Sequence, residues 1–354
     1  MTENKLVSQA NATAKAWDRF LENTKKDWGL AGHDTGIHEL NLMMGGWLPG
    51  KVTTVGARSG IGKTALTAQM FNAGRRVAVK RRAEFLFFSW EMEPSYIVDR
   101  HVCNSVGISN RMLTQGAKLL PEDKMALIKD AYKDARSLPV SYQETSLDIK
   151  RLSVLVMDHA KRCAEMSKVE GIFVQPVVVI DYIGIAKFEG SGIRTYGIAE
   201  FMSGCKQLAN MTSSSFLILA QISRGADEKA IPTRGDFADS QSIEQASDNL
   251  ILLHRPEYND SPQIKDPDLD MYVDSRGKVL FKTLKSRDFG LSEKLLDCRI
   301  AHFRFKSQNH NYDTPYWDLY NSEEFWAKHF KLDKVHYAAQ IKHKPAQKQE
   351  DIPF

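Results

Sequence analysis

A short loop of small residues, set between an apolar strand and a helical pattern, constrains the fold of this chain more than any other feature. The strand runs from Lys51 to Gly56, and a helical pattern begins where the loop ends. The loop fits the Walker A pattern of phosphate-binding loops, with Ala in place of the first Gly. It comprises Ala57, Arg58, Ser59, Gly60, Ile61, Gly62, Lys63 and Thr64. The glycines are required because backbone N–H groups turn inward around phosphate oxygens, where a Cβ would crowd the ligand.

The last two residues of this phosphate-binding loop have the chemistry of a nucleotide site. Lys63 would reach the β and γ phosphates of ATP as a compact cation, and the Thr64 hydroxyl would bind Mg²⁺. The start of the following helix adds its dipole. A chance Gly-Lys-Thr turn is the alternative, and the strand-then-helix context argues against it.

Apolar runs alternate with helical patterns along the rest of the chain. This alternation predicts an α/β fold in which a central, mostly parallel sheet carries helices on both faces. The predicted strands after the loop lie near residues 84–89, 177–181, 216–221, 249–254 and 279–285. The predicted helices lie near residues 64–76, 95–105, 122–136, 147–167 and 198–212.

Three polar residues end or follow predicted strands, at the edge where an open α/β sheet binds its ligand. Asp181 ends one strand and suits Mg²⁺ held through water. Glu91 follows another and could orient and deprotonate an attacking water, while Gln221 ends a third and could sense the γ-phosphate. Each has a structural alternative: a helix-capping Asp, a first-turn acid and a buried Gln, respectively.

Composition sets only wide limits on function. The 354 residues carry a net charge of +4, which permits a nucleic-acid partner without requiring one. The four cysteines show neither disulfide nor metal-ligand spacing, and we interpret them as buried apolar residues of a reducing compartment. No run of 18 apolar residues and no signal-peptide pattern occurs, so we expect a cytoplasmic protein without a membrane partner.

The chain is predicted to have three segments. Residues 1–32 contain an amphipathic linker helix, residues 33–308 form the α/β domain, and residues 309–354 form an extension and flexible tail. The apolar stripe of the linker helix consists of Val7, Ala10, Ala14, Trp17 and Leu21.

The order of these motifs resembles the C-terminal motor domain of DnaB-type hexameric replicative helicases, which has the RecA-like P-loop NTPase fold. The likeness covers about residues 30–305 and is specific in combination. Its stretches are Thr35-Gly36-Ile37 with Leu40-Asn41, Ala57 to Thr64, Phe87 to Met92, Ile180-Asp181-Tyr182, Gln221 to Arg224 and Ser242 to Asp248.

The resemblance implies an ATP-dependent helicase, a homohexameric ring that moves 5′ to 3′ on single-stranded DNA and unwinds forked duplex. It makes Glu91 the catalytic base, Asp181 the Mg²⁺-linked acid and Gln221 the γ-phosphate sensor. It also implies that Lys285 and Arg287 act on the ATP of a neighbouring subunit. Two residues apart on a strand, these two cations face the same side, and a solvated basic strand end is the alternative. In the family the linker helix docks on the adjacent subunit, and packing on its own domain is the alternative.

The chain departs from the family pattern in two places. It has no room for the N-terminal helical domain that recruits primase in the family, so recruitment through that domain is not expected, although primase and other replication proteins stay candidate partners. The family's DNA-contacting loop has an Arg-Glu-Ser-Gly stretch where this chain reads Ala238 to Gln241, which puts DNA contact by the family's means in question. The candidate DNA-binding residues are Arg194, Lys229, Arg234, Asp239 and Gln241. Surface solvation is the alternative for each basic residue.

Two other functions fit the same residues: a RecA-type recombinase or filament ATPase, and a helicase-derived regulator that binds ATP without unwinding. The final stretch, Glu350 to Phe354, resembles the C-terminal tip of bacterial single-stranded-DNA-binding proteins, and its acids and terminal Phe suit an apolar pocket rimmed by basic residues. The Asp-Ile-Pro-Phe tail is therefore interpreted either as a docking peptide for a replication partner or as a disordered end. Such a compact chain suits a phage or bacterial replication system.

Overall fold

A computed structural model gives the fold of the chain. It describes residues 8–24, 30–74, 81–115, 118, 120–188, 194–223, 231–237 and 240–307. The chain divides into two units, one of which spans Ala31–Asn311 and contains the β-sheet. Helix α1 (Gln9–Thr24) belongs to the other unit, and its Trp17 and Leu21 are 41% and 36% exposed.

Nine strands of the described residues form one sheet, and two further strands form a separate antiparallel hairpin. In chain order the strands are β1 (Val52–Ala57), β2 (Arg81–Ser89), β3 (Val140–Gln143), β4 (Phe173–Asp181), β5 (Ser215–Gln221), β6 (Asn249–His254), β7 (Gln263–Asp266), β8 (Met271–Asp274), β9 (Lys278–Ser286), β10 (Glu293–Arg299) and β11 (Arg304–Ser307). The order across the sheet is β11-β10-β9-β6-β1-β5-β4-β2-β3. Six neighbouring strands are parallel to one another, namely β6, β1, β5, β4, β2 and β3. Strands β9, β10 and β11 extend the sheet on the β6 side through antiparallel pairing. The predicted mostly parallel sheet is confirmed.

The helices follow the predicted alternation. After α1 they are α2 (His38–Met44), α3 (Lys63–Gly74), α4 (Pro94–Val106), α5 (Asn110–Thr114), α6 (Glu122–Ala135), α7 (Ile149–Glu170), α8 (Arg194–Thr212) and α9 (Ser240–Ala246). Local signals set several ends. Asp148 caps α7 by accepting a hydrogen bond from the Arg151 backbone N–H (2.9 Å), and Gly171 ends that helix with φ of +66°.

Several predicted starts differ from the observed ones. Strands β2 and β4 begin at Arg81 and Phe173, before the predicted starts near residues 84 and 177. The sequence pattern predicts a helix from about residue 198 with Arg194 in a loop before it, whereas α8 begins at Arg194. The helix passes through Gly197 because the missing side chain lets Phe188 pack there, since a Cβ on Gly197 would lie 2.4 Å from the Phe188 Cβ.

The sheet is buried on both faces, because consecutive side chains of its central strands enter different cores. Phe87 joins the core that contains α3, and its ring meets Phe71 edge to face at 5.7 Å between centroids. Phe88 joins the core that contains α7 and α8. This double burial is the reason that the central strands are continuous apolar runs. Truncating either Phe to Ala would leave a cavity that costs about 3–5 kcal/mol.

Two predictions from composition can be compared with the fold. All four cysteines are buried and unbonded to one another, as expected of apolar residues. No helix in the described part of the chain combines the length and apolarity required to cross a lipid bilayer.

Candidate nucleotide-binding site

The phosphate-binding loop connects β1 to α3 and has a backbone that only glycine adopts readily. Gly60 has φ of +78° and Gly62 has φ of +121°. A Cβ on Gly62 would lie 2.6 Å from the Ile300 Cδ1. Lys63 is the first residue of α3, and its Nζ donates to the carbonyls of Ala57 and Arg58 at 3.3 Å each. The loop therefore places an ammonium group and a helix N-terminus together, as an anion site requires.

A short turn after β6 contacts the outer side of the loop. The turn spans Pro256–Asn259, and Asn259 accepts a hydrogen bond from the Arg58 guanidinium. The Tyr258 hydroxyl donates to the Gly60 carbonyl at 3.4 Å. These contacts hold the first half of the loop in place.

The strands bring the predicted carboxylate to the loop. Asp181 ends β4, and its Oδ2 accepts a hydrogen bond from the Thr64 hydroxyl at 2.8 Å. Its Oδ1 is buried and has no hydrogen-bond partner among the described residues. Burial is the main cause that raises the pKa of Asp181 to about 6, with Glu91 adding to the rise, while the Thr64 hydrogen bond and the Lys63 charge oppose it. Burial likewise lowers the pKa of Lys63, against the charges of Asp181 and Glu91.

These residues fit a hard divalent cation. A hydroxyl oxygen and a carboxylate oxygen lie side by side, and the second carboxylate oxygen has unused acceptor capacity. Oxygen donors of this kind suit Mg²⁺, bound directly or through water. A cation here would also offset the unfavourable burial of the Asp181 charge.

Glu91 lies in the turn that follows β2 and is exposed. Two bonds fix this turn: the Ser89 hydroxyl donates to the Met92 carbonyl, and the Trp90 backbone N–H donates to the Asp181 carbonyl at 3.0 Å. Helix α4 begins only at Pro94 with Glu93 as its N-cap, so Glu91 is not a helix-capping acid. Its charge acts on both Lys63 and Asp181, which places it at the same edge of the sheet.

Gln221 ends β5 directly beside Ala57, with which it is in register. Its side chain is partly exposed. Its role as a γ-phosphate sensor stays a prediction.

Lys285 and Arg287 lie at the end of β9, on the far side of β6 from the loop. Lys285 Nζ donates to the Glu244 carbonyl at 2.5 Å, and Arg287 donates to the Gln245 carbonyl and to Asp248, both at 3.2 Å. Both cations thus contact the last turn of α9. Within the part of the chain that the structure describes, neither forms a hydrogen bond or ion pair with the phosphate-binding loop.

Of the candidate DNA-binding residues, the structure describes the side chains of Arg234 and Gln241. Arg234 lies in a turn and pairs with Glu244 at 3.1 Å, and Gln241 is exposed on α9. Arg194 begins α8, but its side chain lies outside the described residues. Lys229 and Asp239 also lie outside the described residues, as does the tail that ends in Phe354.

Sequence reasoning missed one basic residue of the site, Arg100. It lies on α4, nine positions after Glu91, and its guanidinium stacks over the Phe303 ring at 5.2 Å from the centroid. Burial lowers the pKa of Arg100, and the charges of Asp181 and Glu91 act in the opposite direction. The only feature of the sequence that could have indicated Arg100 is the helical pattern that follows directly after Glu91.

Comparison with known proteins places this geometry in a family context. The replicative DNA helicase DnaB of Geobacillus stearothermophilus is 29% identical over 252 residues, which are 69% of this chain and 52% of the relative. The replicative DNA helicase DnaB of Leifsonia xyli subsp. xyli is 26% identical over 293 residues, which are 79% of this chain and 61% of the relative. The chain thus spans about half the length of the curated relatives it matches.

Solved structures show the same fold. A solved ATPase domain superposes with a TM-score of 0.72 at 17% identity and covers 86% of this chain and 100% of its own. A DnaB-like replicative helicase, solved with attention to its interactions with primase, superposes with a TM-score of 0.69 at 17% identity, covering 87% of this chain and 69% of its own. The predicted RecA-like fold is confirmed.

The family model described as the DnaB-like helicase C-terminal domain matches residues 32–286, which include the phosphate-binding loop, Glu91, Asp181 and Gln221. The chain therefore belongs to the family of DnaB-like helicase C-terminal domains.

Proposed function

We propose that this chain is an ATP-dependent replicative DNA helicase motor, a homohexameric ring that translocates 5′ to 3′ on single-stranded DNA and unwinds forked duplex. The observation that carries the proposal is the hydrogen-bonded pair of Thr64 and Asp181 beside Lys63, with the charge of Glu91 acting on both Lys63 and Asp181. A nucleotide-hydrolysing site needs these groups: an anion receptor, a pair of oxygen ligands and a base.

The site residues are assigned individual roles in ATP hydrolysis. Thr64 and Asp181 would hold Mg²⁺, which when bound neutralises charge on the phosphates. Lys63 would leave the carbonyls of Ala57 and Arg58, bonds of 3.3 Å, to contact the β and γ phosphates. Glu91 would accept the proton of the attacking water, and Gln221 would contact the γ-phosphate.

Completion of the site is assigned to a second subunit. Lys285 and Arg287 lie away from the loop of their own chain, so their charges are available to a neighbour's nucleotide. A head-to-tail ring gives every site such a neighbour. In this proposal residues 33–308 form the motor, and residues 1–32 form the linker that docks on the adjacent subunit.

DNA and other replication proteins are the proposed partners of the chain. Gln241 on α9 and the residues Arg194, Lys229, Arg234 and Asp239 are the candidates for contact with DNA. The Asp-Ile-Pro-Phe tail would dock a replication partner, with primase among the candidates, in the cytoplasm of a bacterial or phage-infected cell.

A fork-unwinding assay tests the function. Purified protein with ATP and Mg²⁺ is given forks that carry both overhangs, only a 5′ overhang or only a 3′ overhang, with Lys63→Ala as the inactive control. We expect wild type to unwind the forks that carry a 5′ overhang, because that overhang belongs to the strand that is tracked 5′ to 3′. Lys63→Ala should unwind none of the forks. Hydrolysis of ATP without unwinding would favour the helicase-derived regulator, for which the altered stretch 238–241 is the supporting observation.

Native mass spectrometry and electron microscopy test the assembly. A closed ring of six copies supports the helicase. Open filaments on single-stranded DNA would favour the RecA-type recombinase instead.

A further inference from the structure

Asp248 is a buried carboxylate that connects β1, α8 and the end of β9. It is 1% exposed and lies between α9 and β6. Its Oδ2 accepts hydrogen bonds from the Val52 backbone N–H (2.8 Å) and from Lys206 Nζ (2.6 Å). Its Oδ1 accepts a hydrogen bond from Arg287 Nη1 (3.2 Å). Lys206 alone balances the buried charge, so neutrality does not require the contact with Arg287.

Arg287 is attached at three points to Asp248 and α9. Its backbone N–H donates to the Asp248 carbonyl (3.1 Å), its Nη1 to the Asp248 carboxylate (3.2 Å) and its Nη2 to the Gln245 carbonyl (3.2 Å). A guanidinium carries five N–H donors in a planar fork, so two side-chain bonds leave three donors for an anion. The side chain is 47% exposed, which lets those donors face a second molecule.

Lys285 is held by the same helix end. Its Nζ donates to the Glu244 carbonyl at 2.5 Å, and Glu244 and Gln245 both belong to the last turn of α9. The carbonyls of a helix C-terminus carry partial negative charge, which favours cations at this place. The carbonyls of the last turn of α9 and the Asp248 carboxylate therefore hold two cations, Lys285 and Arg287, next to each other.

We infer that Asp248 is a positioning residue for Arg287, holding its guanidinium so that the remaining donors reach a phosphate bound in the neighbouring subunit. This inference rests on the proposed function, which assigns Arg287 to a neighbour's ATP. Position matters because a cation stabilises a transition state best when it is already in place before the reaction. Asp248 acts through Arg287 and does not itself contact the nucleotide.

A pair of variants separates positioning from simple support of the fold. Asp248→Asn keeps the shape and an oxygen for the Val52 N–H, but it removes the charge that holds Arg287. Lys206→Met is the matched control, because it removes the other charged partner of the same carboxylate and leaves the contacts of Arg287 intact. We expect Asp248→Asn to lower the kcat of ATP hydrolysis by about tenfold or more at unchanged KM. Lys206→Met should lower thermal stability and leave kcat within about twofold of wild type.

A double-mutant cycle gives the decisive readout. In an Arg287→Ala background, Asp248→Asn should cause no further loss of kcat, because the group that it positions is gone. If the two losses multiply, or if folded, hexameric Asp248→Asn hydrolyses ATP at the wild-type rate, the positioning role is refuted. A wild-type kcat in Arg287→Ala alone would instead refute the proposed role of Arg287 itself.

A surface variant keeps the test available if Asp248→Asn does not fold. Arg287→Lys retains the charge at a partly exposed position but cannot bond the Asp248 carboxylate and the Gln245 carbonyl with the same planar fork. We expect its kcat to lie close to that of Arg287→Ala. A kcat within about twofold of wild type would show that charge without orientation suffices, and it would overturn the inference.

Discussion

Replacing Asp181 by asparagine should stabilise the nucleotide-free protein while it removes the response to Mg²⁺ with ATP. Asp181 is 2% exposed, and burial is the main cause that raises its pKa from 3.8 to about 6. One pKa unit corresponds to about 1.4 kcal/mol, so ionisation of Asp181 at neutral pH opposes folding by about 3 kcal/mol. The asparagine amide adds an N–H₂ group where Oδ1 has no partner, at a cost of about 1 kcal/mol. The free energy of unfolding should rise by about 2 kcal/mol.

The pH dependence of this gain has a definite sign. A carboxyl group whose pKa is higher in the folded than in the unfolded state destabilises the fold as it ionises. The penalty is absent below the unfolded value of 3.8 and complete above about 6. The stability advantage of Asp181→Asn over wild type should therefore grow between about pH 4 and pH 6 and stay constant above that range.

Urea unfolding followed by circular dichroism, at equal protein concentration and with EDTA, measures the gain. Asp148→Asn is the control, because the backbone N–H of Arg151 is the main cause that lowers the pKa of Asp148, so its ionised form stabilises the fold. That variant should not gain stability at neutral pH. In a parallel measurement without EDTA, Mg²⁺ with ATP should stabilise wild type and leave Asp181→Asn nearly unchanged. A less stable Asp181→Asn at pH above 7, or an equal response of both proteins to Mg²⁺ with ATP, would refute the reasoning.

Three further substitutions test other parts of the site. Glu91→Gln should lower kcat about 10²-fold or more and keep ATP affinity, which steady-state hydrolysis and nucleotide titration measure; an unchanged kcat would remove Glu91 as the base. Gly62→Ala should abolish binding of a fluorescent ATP analogue, because φ is +121° and a Cβ would lie 2.6 Å from Ile300 Cδ1; full binding would contradict the loop geometry. Arg100→Ala should lower kcat about tenfold, with Arg100→Lys intermediate, because the charges of Asp181 and Glu91 act on its cation; wild-type kcat in both would limit Arg100 to packing on Phe303.

The sequence could predict the part of the fold that depends on local pattern. Parallel strands buried on both faces are continuous apolar runs, so β4 and β5 stand out, and their carboxyl ends bring Asp181 and Gln221 to the loop. Short edge elements lack that pattern. Strand β3 is four residues long and half-buried throughout, and β10 and β11 contain charged residues among their apolar ones, so neither is a continuous apolar run.

Contacts between residues distant in the chain could not be predicted from one sequence. The Asp248 carboxylate meets Val52, Lys206 and Arg287, which lie on three different elements. Arg100 lies on α4 and Asp181 ends β4, and the charge of Asp181 acts on Arg100 across this separation in the chain. No periodicity reports such charge pairs, since they depend on how the elements pack.

Mixing two inactive variants tests the central claim, that ATP on one subunit is hydrolysed with the help of Arg287 from the next. Lys63→Ala lacks the cation of the phosphate-binding loop but keeps Arg287. Arg287→Ala keeps an intact loop but lacks the cation that it would supply to the neighbouring subunit. In rings assembled at random from equal amounts, about one site in four combines an intact loop with an intact neighbouring Arg287. ATP hydrolysis should therefore return to about a quarter of the wild-type rate on mixing. Hydrolysis that stays at the level of the separate variants, or a wild-type rate from a single isolated subunit, would contradict the account.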